Sequence, residues 1–301
     1  MIGNDRTDII GKMLYVVGTP IGNLGDITQR ALDTLKNADF ICAEDTRVTL
    51  RLLSHFDIRK PLVSYHEHNK YQRGPAVIER LLKGESCALV SDAGMPGISD
   101  PGEHLIELCI ENGVPYTVIP GPVAFVTGAV MSGFPTDEIT FMGFVPHKKK
   151  DAAAFMERLS KNPGTVCFYS APHDISENLA MLAGAVPDRR IALARELTKI
   201  HEEVLRGTAD ELLSYYRDKE PRGEYVVVVG AVSCSQRADD GESGETDAGA
   251  FTARVDELTS GGMKRNDAIK TAANEFGLKR SEAYDLYEES HRAYKDRTDE
   301  D

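Results

Sequence analysis

Residues 13–47 read MLYVVGTPIGNLGDITQRALDTLKNADFICAEDTR, and this stretch decides the fold. MLYVVG (13–18) is a β-branched run of strand length, whereas ITQRALDTLKNA (27–38) carries its apolar residues at helical spacing. DFICAE (39–44) reads as a second strand and TRVTLRLLSHF (46–56) as a second helix. Strands alternating with amphipathic helices predict a largely parallel sheet with crossover helices. The connection GTPIGNLGD holds Gly18, Gly22 and Gly25, a spacing that fits neither the dinucleotide GxGxxG nor the GxxxxGK[ST] pattern. Asp26 or Thr28 is placed to cap the helix that follows.

The same alternation runs outward through ESCALVSD (85–92), EHLIELCIENG (103–113), PYTVIPGP (115–122) and VAFVTGAVMSG (123–133). Residues 13–134 therefore read as one α/β domain. A second, 135–233, is built from EITFMGFVP, HKKKDAAAFMERLSKN, GTVCFYSAP, ISENLAMLAGAV, RRIALARELT, ADELLSYYRDK and the fully apolar strand EYVVVVGAV. Residues 234–250, rich in Ser, Gly, Asp and Glu, read as an acidic flexible linker. A small helical tail, 251–297, follows. In it KRNDAIKTAANEFGLKRSEAYDLY (264–287) has two helical stretches around FGLKR, resembling a helix-turn-helix.

At 301 residues, 41% hydrophobic and 28% charged, the composition is that of a soluble globular chain, with no apolar run near the roughly 18 residues of a membrane span. Met1–Gly11 has no apolar segment of the signal-peptide kind. Five widely spaced cysteines without a CxxC pair argue against a disulfide framework or a zinc site and point to the reducing cytoplasm. A net charge of −13 would alone argue against a nucleic-acid partner, although local basic patches count for more than the sum.

Ligands of open α/β sheets bind beyond the carboxyl ends of the strands, where three loops are rich in Gly and Pro. In SDAGMPGISDPG (91–102) the second half reads as capping, with Asp100 as N-cap, Pro101 at the first helical position and Glu103 at the third. The first half, with Asp92 after a buried strand and glycines around Met95 and Pro96, reads as backbone held open for a ligand. In IPGPVA, Gly121 lies between two prolines. Polar clusters follow the strands at Glu44, Asp45 and Arg47 and at Arg195, Glu196, Lys199 and Glu202. The His66-x-His68 pair lacks a third ligand, so no metal site is expected.

TPIGN (19–23), EDTR (44–47), SDAGMPGISDPG, PGPVA (120–124), GFVP (143–146), FYSAPH (168–173) and ARELTK (194–199) occur in that order. The chain thereby resembles the ribosomal RNA small subunit methyltransferase I family, a branch of the tetrapyrrole methylase superfamily. The resemblance implies two α/β domains with S-adenosylmethionine between them, a homodimer, and methylation of a cytidine ribose 2′-hydroxyl in the decoding region of 16S RNA. It further implies one cofactor wall from Asp92, Ala93, Gly94, Met95, Pro96 and Ile98, and another from Pro120, Gly121, Pro122, Val123 and Ala124. Met142, Gly143 and Phe144 would neighbour the adenine.

A ribose hydroxyl is a poor nucleophile, so a base is expected among Glu44, Asp45, Glu196 and Lys199, with Arg47 and Arg195 beside them. Lys199 is the sharpest candidate, because partial burial beside a sulfonium would lower its pKa. RNA contact is expected at Lys148, Lys149 and Lys150 and, in the tail, at Lys264, Arg265, Lys279 and Arg280. Two other readings stand beside this one. The first is a nicotinamide-dependent oxidoreductase, from the glycine loop and the acidic pair Glu44–Asp45; the second is a non-catalytic ribosome-binding protein.

Overall fold

A computed structural model of the chain describes residues 11–232, 248–276, 278, 283–284 and 286–287. The chain divides into two compact units, one ending at Val232 and the other beginning at Ser233. The first unit opens with β1 (Leu14–Val17), α1 (Gln29–Asn37), β2 (Phe40–Ala43), α2 (Thr46–His55), β3 (Leu62–Ser64), α3 (Lys70–Leu82), β4 (Cys87–Val90), α4 (Glu103–Glu111), β5 (Tyr116–Ile119) and α5 (Ala124–Ser132). Its five strands form one sheet in the order β3-β2-β4-β1-β5, every pair parallel. β1, β2 and β4 are buried at every position, because helices cover both faces. Leu81, Leu105 and Cys109 of α3 and α4 close one core, and Ala31, Leu35 and Leu53 of α1 and α2 close the other. Thr28 caps α1 by accepting from the Ala31 N–H. β3 and α3 lie between the segments read from the sequence; β3 is only three residues long, too short for periodicity to register.

The second half follows in the same unit: β6 (Ile139–Phe144), α6 (Lys149–Ser160), β7 (Thr165–Ser170), α7 (Ile175–Ala185), β8 (Ile191–Arg195), β9 (Glu203–Gly207), α8 (Ala209–Tyr216) and β10 (Tyr225–Val229). Its sheet runs β6-β7-β10-β8-β9. Here the sheet is mixed rather than parallel. β6 and β7 are parallel, but β10 enters between β7 and β8 antiparallel to both, and β8 pairs antiparallel with β9. The turn from β8 to β9 is too short for a parallel crossover, and β9 itself was not legible as a strand. Helices α6, α7 and α8 supply one core with Phe155, Leu179 and Leu212.

The opposite face of this second sheet is covered by α5, a helix of the first half, with Ala129 packed among Cys167, Ala194 and Val226. Gly128 allows the close approach, since a Cβ there would lie 2.8 Å from Val226 Cγ1. The two halves are thus pinned together at a shared core, and a cleft is left beside it.

The second unit contains α9 (Ala248–Ser260) and α10 (Arg265–Glu275), with further helical residues at 283–284 and 286–287. Phe251, Val255, Ile269, Ala272, Ala283 and Tyr287 form its own small core. Helix α9 starts at Ala248, inside the segment read as linker. The rest of that linker up to residue 247, together with Cys234, Lys279 and Arg280, lies outside the described residues.

Candidate active site

The three Gly/Pro loops leave β1, β4 and β5, and these strands are neighbours in the sheet. The loops are therefore side by side at its carboxyl edge. The Thr19 N–H donates to the Gly94 carbonyl at 2.8 Å and the Gly94 N–H returns to the Thr19 carbonyl at 3.2 Å, zipping the first loop to the second. Gly18 and Gly121 abut so closely that a Cβ on Gly121 would fall 2.9 Å from Gly18. Glycine at both positions is what lets the first and third loops touch.

Between these loops and the ends of β7, β8 and β10 lies a cavity of about 420 Å³, within the usual range of small-molecule sites. Of the residues expected to hold a cofactor, Ala93, Gly94, Met95, Ile98, Val123, Ala124 and Phe144 line it. Pro96, Pro120, Gly121, Pro122, Met142 and Gly143 do not line it; Met142 packs on the core of the second sheet. Asp92 instead lines an adjoining cavity of about 330 Å³. Ile21, Leu197, Tyr169 and Val226 complete apolar walls of the first cavity, and Ser99, Asp100, Ser170, Lys199 and Glu224 supply its polar points.

Asp100 corrects the capping expectation. Helix α4 begins at Glu103 with Gly102 as N-cap and no side-chain cap bond. The chain folds back so tightly that a Cβ on Gly102 would lie 3.0 Å from the Gly97 nitrogen, while Ser99 takes a positive φ of 61°. This turn delivers Asp100 to the cavity. Burial there raises its carboxyl to about 7, helped by the negative charges of Glu44 and Asp92 and opposed by the Ser91 hydroxyl. A local signature of capping concealed it, and no spacing rule would have found it.

Lys199 also lines the cavity, at the wall it shares with the second cavity. Its Nζ donates to Glu196 Oε1 at 2.9 Å and to Glu224 Oε2 at 2.7 Å. Burial works to lower its pKa, but the hydrogen bonds to Glu224 and Glu196 outweigh burial and raise it. The expected depression is thus reversed, because two carboxylates hold the ammonium. Glu196 is lowered: burial opposes, and bonds to Lys199 and to the Glu224 backbone prevail. The turn is strained, with Glu196 and Thr198 at positive φ (51° and 67°). Gly223 makes room for Glu196, and Gly22 for Lys199, since a Cβ at Gly22 would sit 2.5 Å from Lys199 Cγ. Glu224, 25 positions from Lys199, was not among the residues picked from sequence.

The other polar candidates are spoken for by the fold. Asp45 caps α2 through the Arg47 N–H and pairs with the exposed Arg47 guanidinium at 2.6 Å; hydrogen bonds from Arg47 hold its carboxyl at about 2. Neither lines either cavity. Glu44 Oε2 accepts from the Asp92 N–H at 3.4 Å, and burial raises its pKa. Arg195 pairs with Glu203 on β9 at 3.1 Å. Lys148, Lys149 and Lys150 are exposed at the start of α6, where the helix dipole disfavours cations. Lys264 is the N-cap of α10 and Arg265, its first residue, stands 5.0 Å over the Tyr287 ring.

Residues 13–213 match the tetrapyrrole (corrin/porphyrin) methylase family. The chain is 42% identical over 286 residues to the ribosomal RNA small subunit methyltransferase I of Bacillus subtilis, covering 94% of this chain and 96% of that protein. To the protein of the same name from Halalkalibacterium halodurans it is 40% identical over 279 residues, covering 91% and 94%. Among solved structures, diphthine synthase superposes with a TM-score of 0.58 at 14% identity, over 73% of this chain and 89% of that one. Cobalt precorrin-4 methyltransferase does so at 0.56 and 17%, over 73% and 95%; both likenesses speak for the fold. The similarity covers the glycine loops and nearly the whole length of both relatives, and this chain therefore belongs to the tetrapyrrole methylases, in the branch of the ribosomal RNA small subunit methyltransferase I proteins.

Proposed function

We propose that the chain methylates the ribose 2′-hydroxyl of a cytidine in the decoding region of 16S ribosomal RNA, using S-adenosylmethionine, as a cytoplasmic homodimer. The observation that carries this reading is the 42% identity over nearly the full length of a relative so named, joined to a cavity whose chemistry suits the cofactor. Its volume, its apolar walls and the open backbone at Gly94, where φ is +80°, fit an adenine face and an aliphatic amino-acid chain. Asp100 and Ser170 are placed to take its polar groups. When bound, the cofactor supplies a methyl group already activated by a sulfonium.

The chain's own work is alignment, exclusion of water and the handling of one proton. At the shared wall Lys199 keeps its proton and steadies the oxygen that loses one, and Glu224 accepts that proton. Lys148 to Lys150 offset the acid total where phosphate would approach, and Lys264 and Arg265 offer charge in the tail. Support for the homodimer comes from α5, a mostly apolar helix with Val126 45% and Val130 69% exposed in the single chain. A second copy would cover it. Among the described residues no helix is long and apolar enough to cross a membrane, and the four described cysteines are buried free thiols, in keeping with a reducing compartment.

The test is methylation of unmodified small ribosomal subunits, with the product located by mass spectrometry of RNA fragments, beside calorimetry with S-adenosylhomocysteine. Methyl groups on a decoding-region cytidine, and an affinity strongly weakened by Gly94→Val, are the expected results. Parental affinity in a folded Gly94→Val chain would remove the cofactor from this cavity, and unmethylated subunits would refute the substrate.

A further inference from the structure

The turn from β8 to β9 carries a bare isoleucine at its tip. Ile200 is 98% exposed, and among the described residues no other large hydrophobic side chain exceeds the 73% of Tyr71. Single apolar residues on a surface are ordinary, but turns are most often tipped by Gly, Asn, Asp or Pro, and an isoleucine there forgoes the whole gain of burial. Its place gives it a use. Ile200 follows Lys199, so its Cα lies about 3.8 Å from that of a residue lining both cavities. Lys199 turns inward to Glu196 and Glu224, and Ile200 is left outside, beside the cleft.

The turn holds this tip in place. The Lys199 N–H donates to the Glu196 carbonyl at 3.0 Å and the Glu202 N–H to the Lys199 carbonyl at 3.1 Å. Glu202 Oε2 accepts from the Thr198 N–H at 2.7 Å, which folds that carboxylate back on to the turn. Gly22 lies beneath, where a Cβ would fall 2.9 Å from Thr198 Oγ1 and 3.1 Å from the Leu197 carbonyl, so the turn rests on the backbone of the first glycine loop. A fixed apolar side chain that the single chain leaves uncovered is suited to slip between flat apolar faces. The bases of an RNA strand are such faces, and the proposed substrate brings them to this edge of the cleft.

Resting on the proposed reaction, we infer that Ile200 is a wedge that enters the RNA stack where the target nucleotide leaves it, and so holds that nucleotide out while its ribose lies in the cleft. Enzymes acting on one nucleotide of a structured nucleic acid take it out of the stack, and isoleucine is among the side chains with which proteins open base steps. The wedge touches no reacting atom. Ile200 is a positioning residue: it raises the fraction of bound RNA whose ribose faces Lys199, and leaves the chemistry to the wall.

The sequence contains no tryptophan, so Ile200→Trp puts the chain's one indole at the tip. Titrated with unmodified small ribosomal subunits, that indole should be quenched by the bases it meets, whereas one placed by Leu82→Trp, exposed at the far end of α3, should keep its emission. An Ile200→Trp indole shielded from acrylamide before RNA is added would mean that a second copy covers the tip, and would overturn the inference; so would one that stays unquenched with subunits bound. Ile200→Ala should keep the parental melting temperature, the affinity for S-adenosylhomocysteine and the affinity for subunits, yet lower the saturating single-turnover rate about tenfold. Ile200→Leu should recover most of that rate. A parental rate in Ile200→Ala, or a loss that appears only as weaker subunit binding, would refute the wedge. If the parent chain neither binds nor methylates subunits, the functional reading falls and the wedge with it; parental methylation beside an unquenched tip removes the wedge alone.

Discussion

Lys199 shows how a residue's chemistry depends on what faces it. Two carboxylates within 2.9 Å stabilise its ammonium, so its folded pKa lies above 10.5 and the charge is constant from pH 6 to 9. A cation that steadies an oxyanion can be replaced in part by another cation, whereas a neutral amine base cannot. Lys199→Arg should therefore retain a measurable single-turnover rate, and Lys199→Met should lose about 10²-fold. If both fall equally, the lysine serves as a base after all. Asp100 titrates in the opposite sense. Its folded value of about 7 lies above the 3.8 of the free carboxyl, so between these pH values the folded chain holds a proton that the unfolded chain has released. Stability from this group is full below about 4 and declines as pH rises through about 7. Asp100→Asn should raise thermal stability at pH 8 by roughly 1–2 kcal/mol, an amount discounted because part of the carboxyl meets solvent, and should change it little at pH 4. Melting curves of the two chains across this range would show it.

Among the elements, the second sheet depends on one buried cation. Arg189 is 5% exposed and donates to the carbonyls of Gly230, Leu159, Asn162 and Gly164 at 2.7, 3.3, 2.9 and 2.6 Å. It thereby ties the end of α6 and the start of β7 to the end of β10. Burial pulls its pKa down to about 10, so it stays charged at neutral pH. Arg189→Met would leave these carbonyls facing an apolar side chain, with an expected loss of about 3 kcal/mol or more. The urea midpoint measures it; a change below about 1 kcal/mol would mean that water replaces the guanidinium. The sequence marks this residue only as the beginning of a strand, because its partners come from two distant stretches, residues 159–164 and Gly230.

For the whole molecule, the proposed homodimer rests on the exposed face of α5, with Val126 and Val130 open to solvent in the single chain. Val130→Glu places a charge on the most exposed valine of that helix without touching the Ala129 side that packs on the second sheet. In analytical ultracentrifugation the parent should sediment as a dimer and Val130→Glu as a monomer with unchanged far-UV circular dichroism. A dimer that survives the charge would locate the interface elsewhere.

Periodicity in residues 13–56 and 85–133 was enough to establish strands and helices, though not β3 and α3 between them, because a buried face imprints its spacing on each segment locally. Ordered motifs were enough for the family. Which loops become neighbours was decided by the strand order β4-β1-β5, and the mixed direction of the second sheet by the insertion of β10; both are pairings between distant segments, to which local spacing is blind. The same distance explains the site. Lys199 owes its raised pKa to Glu224 and Glu196, and Asp100 its own to burial beside Glu44, and proton affinity is set by neighbours in space, which only the tertiary structure assembles.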